Sequence, residues 1–242
     1  MPLRVAMWSG PRNISTAMLR AWGNRPDTFV VDEPLYAHYL TQVEVNHPGR
    51  EEVVAHHDPD WRRVVEWLLG DVPDGKQVFY QKQMAHHLLP HIDRGWLDRV
   101  TNCFLIRHPA EMLASLTLKM GPPTLRDTGL PQQVEIFRQV RARTGATPAV
   151  LDAADVLRDP RLMLGQLCGR LGVPFDEAML SWPPGPRASD GVWAKHWYAA
   201  VERSTGFEPY VAKPRGVSAV LQGLLEDCMG YYEELYDFRL KD

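Results

Sequence analysis

The sequence predicts an α/β fold with three layers, helices covering both faces of a central parallel sheet. Two observations carry that reading. Short apolar runs that end abruptly in polar residues alternate with segments of helical period. The runs are apolar at nearly every position rather than at alternate ones, as in strands buried on both faces.

Taken in order, the predicted strands are Val5–Trp8, Thr28–Val31, Val78–Tyr80, Cys103–Ile106 and Ala149–Leu151. They run into Ser9-Gly10-Pro11, Asp32-Glu33-Pro34, Gln81-Lys82, Arg107 and Asp152. Between them, residues 61–69 place Val64, Val65, Leu68 and Leu69 on one helical face. Residues 109–118 do the same with Met112, Leu113 and Leu116, and Pro109 suits a first helical position. Residues 132–141 carry Val134, Phe137 and Val140, and residues 160–171 carry Leu164, Leu167, Cys168 and Leu171. The longest pattern runs from Val217 to Leu235 and reads as a core-packing C-terminal helix. Residues 40–60 and 182–216 read as loops. The second is long and rich in aromatic residues, which marks a lid or substrate-binding segment.

The 242 residues fit a single domain spanning 1–242. A formal net charge of −3 excludes a nucleic-acid partner held by bulk electrostatics, so any anion site is a local cluster. Cys103, Cys168 and Cys228 are odd in number, far apart and without metal-ligand spacing. No run approaches the roughly 18 apolar residues of a membrane span, and the N-terminal apolar run is too short for a secretory signal. A cytoplasmic protein with no metal and no membrane partner is expected.

Residues 4–19, RVAMWSGPRNISTAML, read as strand, tight polar loop and helix start. Such a junction aims unpaired backbone N–H groups and the positive helix end at one point. Arg12, Ser15 and Thr16 add a charge and two hydroxyls there, which suits a phosphate. The Gly-Lys pair of a nucleoside-triphosphate loop is absent. A second strand end delivers Arg107, followed by a helix that carries Ser115. Ligands of open α/β sheets sit beyond the carboxyl ends of the strands, so Arg12 and Arg107 are expected on one rim. Two anion sites there imply a ligand with two separated anionic groups.

At these residues the chain resembles the sulfotransferases. PRNISTAM is similar to their 5′-phosphosulfate loop, and LIRHPAEMLASL to their 3′-phosphate motif, an Arg followed eight residues later by a Ser. VLDAADVLRDPRLMLGQLCGRLGVPF resembles a third family segment, and the three occur in order across residues 4–176. The nearest likeness is to bacterial sulfotransferase-like proteins of unassigned acceptor. The resemblance implies a P-loop-like α/β/α fold. It also implies transfer of a sulfuryl group from 3′-phosphoadenosine-5′-phosphosulfate (PAPS), as co-substrate, to a small-molecule hydroxyl or amine acceptor. Arg12, Asn13, Ile14, Ser15, Thr16, Arg107 and Ser115 would bind that nucleotide, with Lys213 and Arg215 near its 3′-phosphate. Lys82 would contact the sulfuryl group or leaving oxygen.

Two departures stand out. Ile14 occupies the position of the family's loop glycine, and a β-branched residue resists positive φ. The Lys-Thr-His base motif is replaced by Lys82-Gln83-Met84. The expected base is therefore Glu33, at the end of the second strand, with its neighbour Asp32 pointing away if the segment is extended. His86 and His87 are the second candidates, as residues titrating near neutral pH or as plain surface histidines. Two alternatives remain at this level: a kinase-like phosphotransferase using ATP and magnesium, and a non-catalytic nucleotide-binding module.

Overall fold

The computed structural model describes residues 2–44, 47–212 and 216–241. Five strands form one sheet: β1 (Leu3–Ser9), β2 (Thr28–Asp32), β3 (Val78–Met84), β4 (Thr101–Ile106) and β5 (Ala149–Asp152). Their order is β2-β3-β1-β4-β5, and every pairing is parallel. β1 therefore lies in the middle, with β3 on one side and β4 on the other. The chain leaves β1 toward β2, returns to β3 and then crosses to β4 on the other side of β1, and this reversal of strand order opens a crevice beyond the carboxyl end of β1.

Strand pleating sorts the apolar side chains into two cores. Ala6, Trp8, Phe104 and Ile106 enter one core; Val5, Met7, Cys103 and Leu105 enter the other. The helices are α1 (Ser15–Gly23), α2 (Tyr36–Gln42), α3 (Arg50–His56), α4 (Trp61–Leu69) and α5 (Pro109–Met120). They continue with α6 (Leu130–Thr144), α7 (Ala153–Arg158), α8 (Pro160–Leu171), α9 (Ala194–Trp197) and α10 (Gln222–Tyr236). α1 and α8 cover one sheet face through Met18, Leu19, Trp22, Met163, Leu164 and Leu167. α2, α4, α5, α6 and α10 supply the other core. The parallel sheet and both covering layers match the predicted class.

Three local expectations need correction. β3 continues through Lys82 to Met84, because Gln81, Lys82 and Gln83 are buried inside the sheet. The presumed loop at 40–60 contains the end of α2 and all of α3. α3 has seven residues and buries only Val53, too little to leave a periodic signal. The C-terminal helix starts at Gln222, after a 3₁₀ turn, and leaves Val220 82% exposed outside it. Among the described residues no helix is long and apolar enough to cross a membrane.

Candidate active site

The loop from β1 to α1 resolves the problem posed by Ile14. Ile14 has φ −86° and ψ 20°, a bridge-region conformation with negative φ that a β-branched residue can adopt. The left-handed residue is Arg12, at φ 53°. Asn13 ties the turn down: its Nδ2 donates to the Leu105 carbonyl at 2.8 Å, and its Oδ1 accepts from the Ile14 N–H at 2.8 Å. Gly10 is required for space, since a Cβ there would lie 2.4 Å from the Thr128 carbonyl oxygen. No side chain caps α1. The first-turn N–H groups of a helix lack intrahelical partners, and Ser15, Thr16 and Ala17 line a cavity of about 340 Å³.

Arg12 and Arg107 meet on the rim of that cavity, as their strand-end positions predicted. Arg107 Nη1 donates to the Arg12 carbonyl at 2.7 Å, and Arg12 Nε donates to Ser115 Oγ at 2.9 Å. Burial, and then the neighbouring Arg107 charge, pull the Arg12 pKa down. Sequence reasoning missed Glu111 here. It pairs with Arg107 at 3.1 Å one helical turn on, and accepts from the Tyr210 hydroxyl at 2.8 Å. Its i, i+4 spacing from Arg107 was the available signal. Lys213 and Arg215 lie outside the described residues.

The opposite wall holds a buried charge cluster. The Glu33 N–H donates to the Lys82 carbonyl at 2.9 Å, which extends the β2–β3 ladder by one residue. The chain then turns through φ 43° at Glu33. That turn breaks strand alternation, so Asp32 does not point away from Glu33. Lys82 Nζ lies 2.7 Å from Asp32 Oδ1 and 2.6 Å from Glu33 Oε1. Its third donor reaches the Tyr198 hydroxyl at 2.8 Å. An ammonium has three donors, so those of Lys82 are committed within the protein. Tyr198 in turn donates to Asp32 Oδ2 at 2.6 Å and accepts from Trp193 Nε1 at 3.2 Å. Burial raises the Glu33 pKa, against the opposing pull of Lys82. Burial also favours neutral Lys82, but Asp32 and Glu33 outweigh it and hold the lysine charged.

His86 and His87 sit on a 3₁₀ turn after β3 and are buried. They are not surface histidines. His87 is stacked between Tyr36 and Tyr39, with ring centroids 4.7 and 4.6 Å away. Burial lowers the His86 pKa to about 3, and burial with its histidine neighbours lowers that of His87. A base works best with a pKa near the working pH, so these rings are poorer bases than their type implies. His87 Nδ1 lies 4.0 Å from Glu33 Oε2. Tyr36, His47, Trp193 and Trp197 complete an aromatic wall. Tyr36 bonds His47 Nδ1 at 2.7 Å. The 182–216 segment brings in Trp193 and Tyr198, and the buried Arg20–Asp190 pair at 2.6 Å anchors it to α1.

The fold and site define an α/β protein with a strand-to-helix loop, two arginines and a carboxylate on one cavity. A family model described as "Sulfotransferase domain" matches residues 3–237, and the chain belongs to that family. Two proteins of Arabidopsis thaliana are similar in sequence. Branched-chain-amino-acid aminotransferase-like protein 1 is 36% identical over 234 residues, covering 97% of this chain and 42% of that protein. Branched-chain-amino-acid aminotransferase-like protein 2 is 32% identical over 228 residues, covering 94% and 40%. The chain thus spans about two fifths of their length. Among solved structures, the sulfotransferase domain from the curacin biosynthetic pathway matches with TM-score 0.58 at 15% identity, over 98% of both chains. The sulfotransferase domain of the Synechococcus PCC 7002 olefin synthase matches with TM-score 0.56 at 19% identity, over 99% of this chain and 96% of that one. These likenesses establish a shared fold. Among the described residues, no group of three or more His, Cys, Asp or Glu is placed to hold a metal ion.

Proposed function

We propose that this domain transfers the sulfuryl group of PAPS to a hydroxyl or amine on a small-molecule acceptor. One observation carries the reading. The uncapped start of α1, the paired Arg12 and Arg107, with Ser115 bonded to Arg12 behind them, and the Glu33 carboxylate converge on one cavity, which Ser15, Thr16, Arg12, Arg107 and Glu33 line. The family match over residues 3–237 supports it. The plant relatives' aminotransferase-like names are not carried over, because they describe proteins more than twice as long.

PAPS would supply the activated sulfuryl group and a nucleotide bisphosphate leaving group (PAP). The residues present fit its anionic parts. Ser15, Thr16 and the α1 dipole would hold the 5′-phosphosulfate, and Arg12 would neutralise charge that builds on the leaving phosphate. Arg107 and Ser115 would hold the 3′-phosphate; such remote binding energy fixes the reacting geometry. Glu33 would accept the acceptor's proton as the new S–O or S–N bond forms and the bond from sulfur to the 5′-phosphate oxygen breaks. In this reading Lys82 keeps Glu33 aimed rather than touching the donor, since its own donors are taken. The test is transfer of radiolabelled sulfate from PAPS to a panel of phenols, alcohols and amines. Labelled product from the wild type, absent with Arg12→Ala, is expected. Phosphate transfer from ATP with magnesium, without sulfate transfer, would favour the kinase reading.

A further inference from the structure

We infer that Tyr198 and Asp32 are positioning residues that act through Lys82 to set the orientation and charge of Glu33. The inference deepens the reading in which Glu33 is the base. Its starting point is the bond count at one nitrogen. The three donors of Lys82 meet Asp32 Oδ1, Glu33 Oε1 and the Tyr198 hydroxyl, all within 2.8 Å. Only one of these bonds holds Glu33, and the other two fix where the ammonium sits. The Tyr198 hydroxyl closes the ring by donating to Asp32 Oδ2 at 2.6 Å. It thereby takes up part of the Asp32 charge that would otherwise draw Lys82 away from Glu33. Glu33 Oε2 lies outside this ring, 4.0 Å from His87 Nδ1, and is the oxygen available to an acceptor.

Burial gives the arrangement its strength. The side chains of Lys82 and Asp32 are each 1% exposed, and Tyr198 is 5% exposed. Charges in such surroundings are screened little by water, so one hydrogen bond redistributes a substantial interaction. Tyr198 itself is placed from far along the chain. Trp193, 1% exposed, donates to its hydroxyl, and the Arg20–Asp190 pair anchors the segment before it. The site is therefore incomplete without residues 190–198. The groups facing Glu33 are Asp32 from β2, Lys82 from β3, Tyr36 from α2, His87 from the turn after β3, and Tyr198.

Two substitutions move Glu33 in opposite directions. Tyr198→Phe removes the donor from Asp32, which then draws on Lys82 at the expense of Glu33, and the Glu33 titration midpoint rises. Asp32→Asn removes a like charge and releases Lys82 to Glu33, and the midpoint falls. The measurement is a ¹³C-carboxyl NMR titration of protein labelled at glutamate, with the Glu33 signal assigned by its loss in Glu33→Gln. Shifts of about half a pH unit or more, opposite in sign, are expected, because neighbouring charges move carboxyl pKa values on that scale. General loosening of the fold would move both variants the same way. No shift in either variant, or shifts of the same sign, would overturn the inference. Should one variant fail to fold, an unshifted midpoint in the other is sufficient to overturn it. The titration uses no turnover, so failure to detect sulfate transfer would count against the proposed function and leave this result standing.

Discussion

Arg12 Nε donates to Ser115 Oγ across 2.9 Å, joining residues 103 positions apart in the chain. Arg107 closes the same cluster by donating to the Arg12 carbonyl. The strand-end loop of β1 and the helix after β4 thus form one continuous hydrogen-bonded surface. Their meeting follows from topology, since β1 and β4 are paired neighbours in the sheet.

That surface does not depend on a glycine at position 14. Ile14 has negative φ, and its side chain packs against the core beneath α1. Ile14→Gly is expected to leave PAP affinity within about twofold. It should cost at least about 1 kcal/mol of stability, from added chain entropy and lost apolar burial. Calorimetric titration with PAP and urea unfolding check the two halves. A large gain in affinity would show that Ile14 hinders the loop.

Glu33→Gln keeps shape and hydrogen-bonding reach but cannot take a proton near neutral pH. PAP affinity should hold, while turnover falls by roughly 10²-fold or more, the scale of general-base catalysis. The paired change His86→Asn with His87→Asn should cost turnover much less, because burial already makes both rings weak bases. Wild-type turnover should also fall toward acid as Glu33, whose pKa burial raises, becomes protonated. The reverse ranking of the variants would place the base at the histidines.

The buried histidines make stability depend on pH. His86 has a folded pKa of about 3 against an ordinary value of 6.5, so between those values the unfolded chain binds a proton that the folded chain does not. Stability from this group is therefore full above 6.5 and is lost as pH falls toward 3. Urea midpoints measured across that window should fall less steeply for His86→Gln than for the wild type. Equal slopes would mean that His86 takes up its proton in the folded state.

The fold class was legible because buried parallel strands are apolar along their whole length, and four of the five runs, all but the one ending at Asp152, ended in residues that line the cavity. Arg12 and Arg107 could be placed together from strand ends alone, whereas Ser115, inside α5, was tied to them only by the resemblance. Asp32 could not, because the positive φ at Glu33 overrides strand alternation and no local pattern announces it. Tyr36 and Glu111 were also missed as site residues, and Tyr198 was legible only as one member of the aromatic-rich segment. They look like ordinary aromatic and helical residues; only tertiary packing brings Tyr36 and Tyr198 to the cavity and sets Glu111 behind Arg107. The surroundings of His86 and His87 were hidden for the same reason, since burial depends on what folds over them.

The most direct test of the central claim compares PAP with ADP at equal concentration by thermal shift, with ATP and magnesium alongside. Ligand-linked stabilisation reports binding without needing an acceptor. PAP should stabilise the wild type more than ADP, because ADP lacks the 3′-phosphate that Arg107 and Ser115 would hold. Arg107→Ala should erase most of that preference, a loss on the order of 1.5–3 kcal/mol for a charge-assisted contact. Equal stabilisation by PAP and ADP, or a preference for ATP with magnesium, would contradict the account.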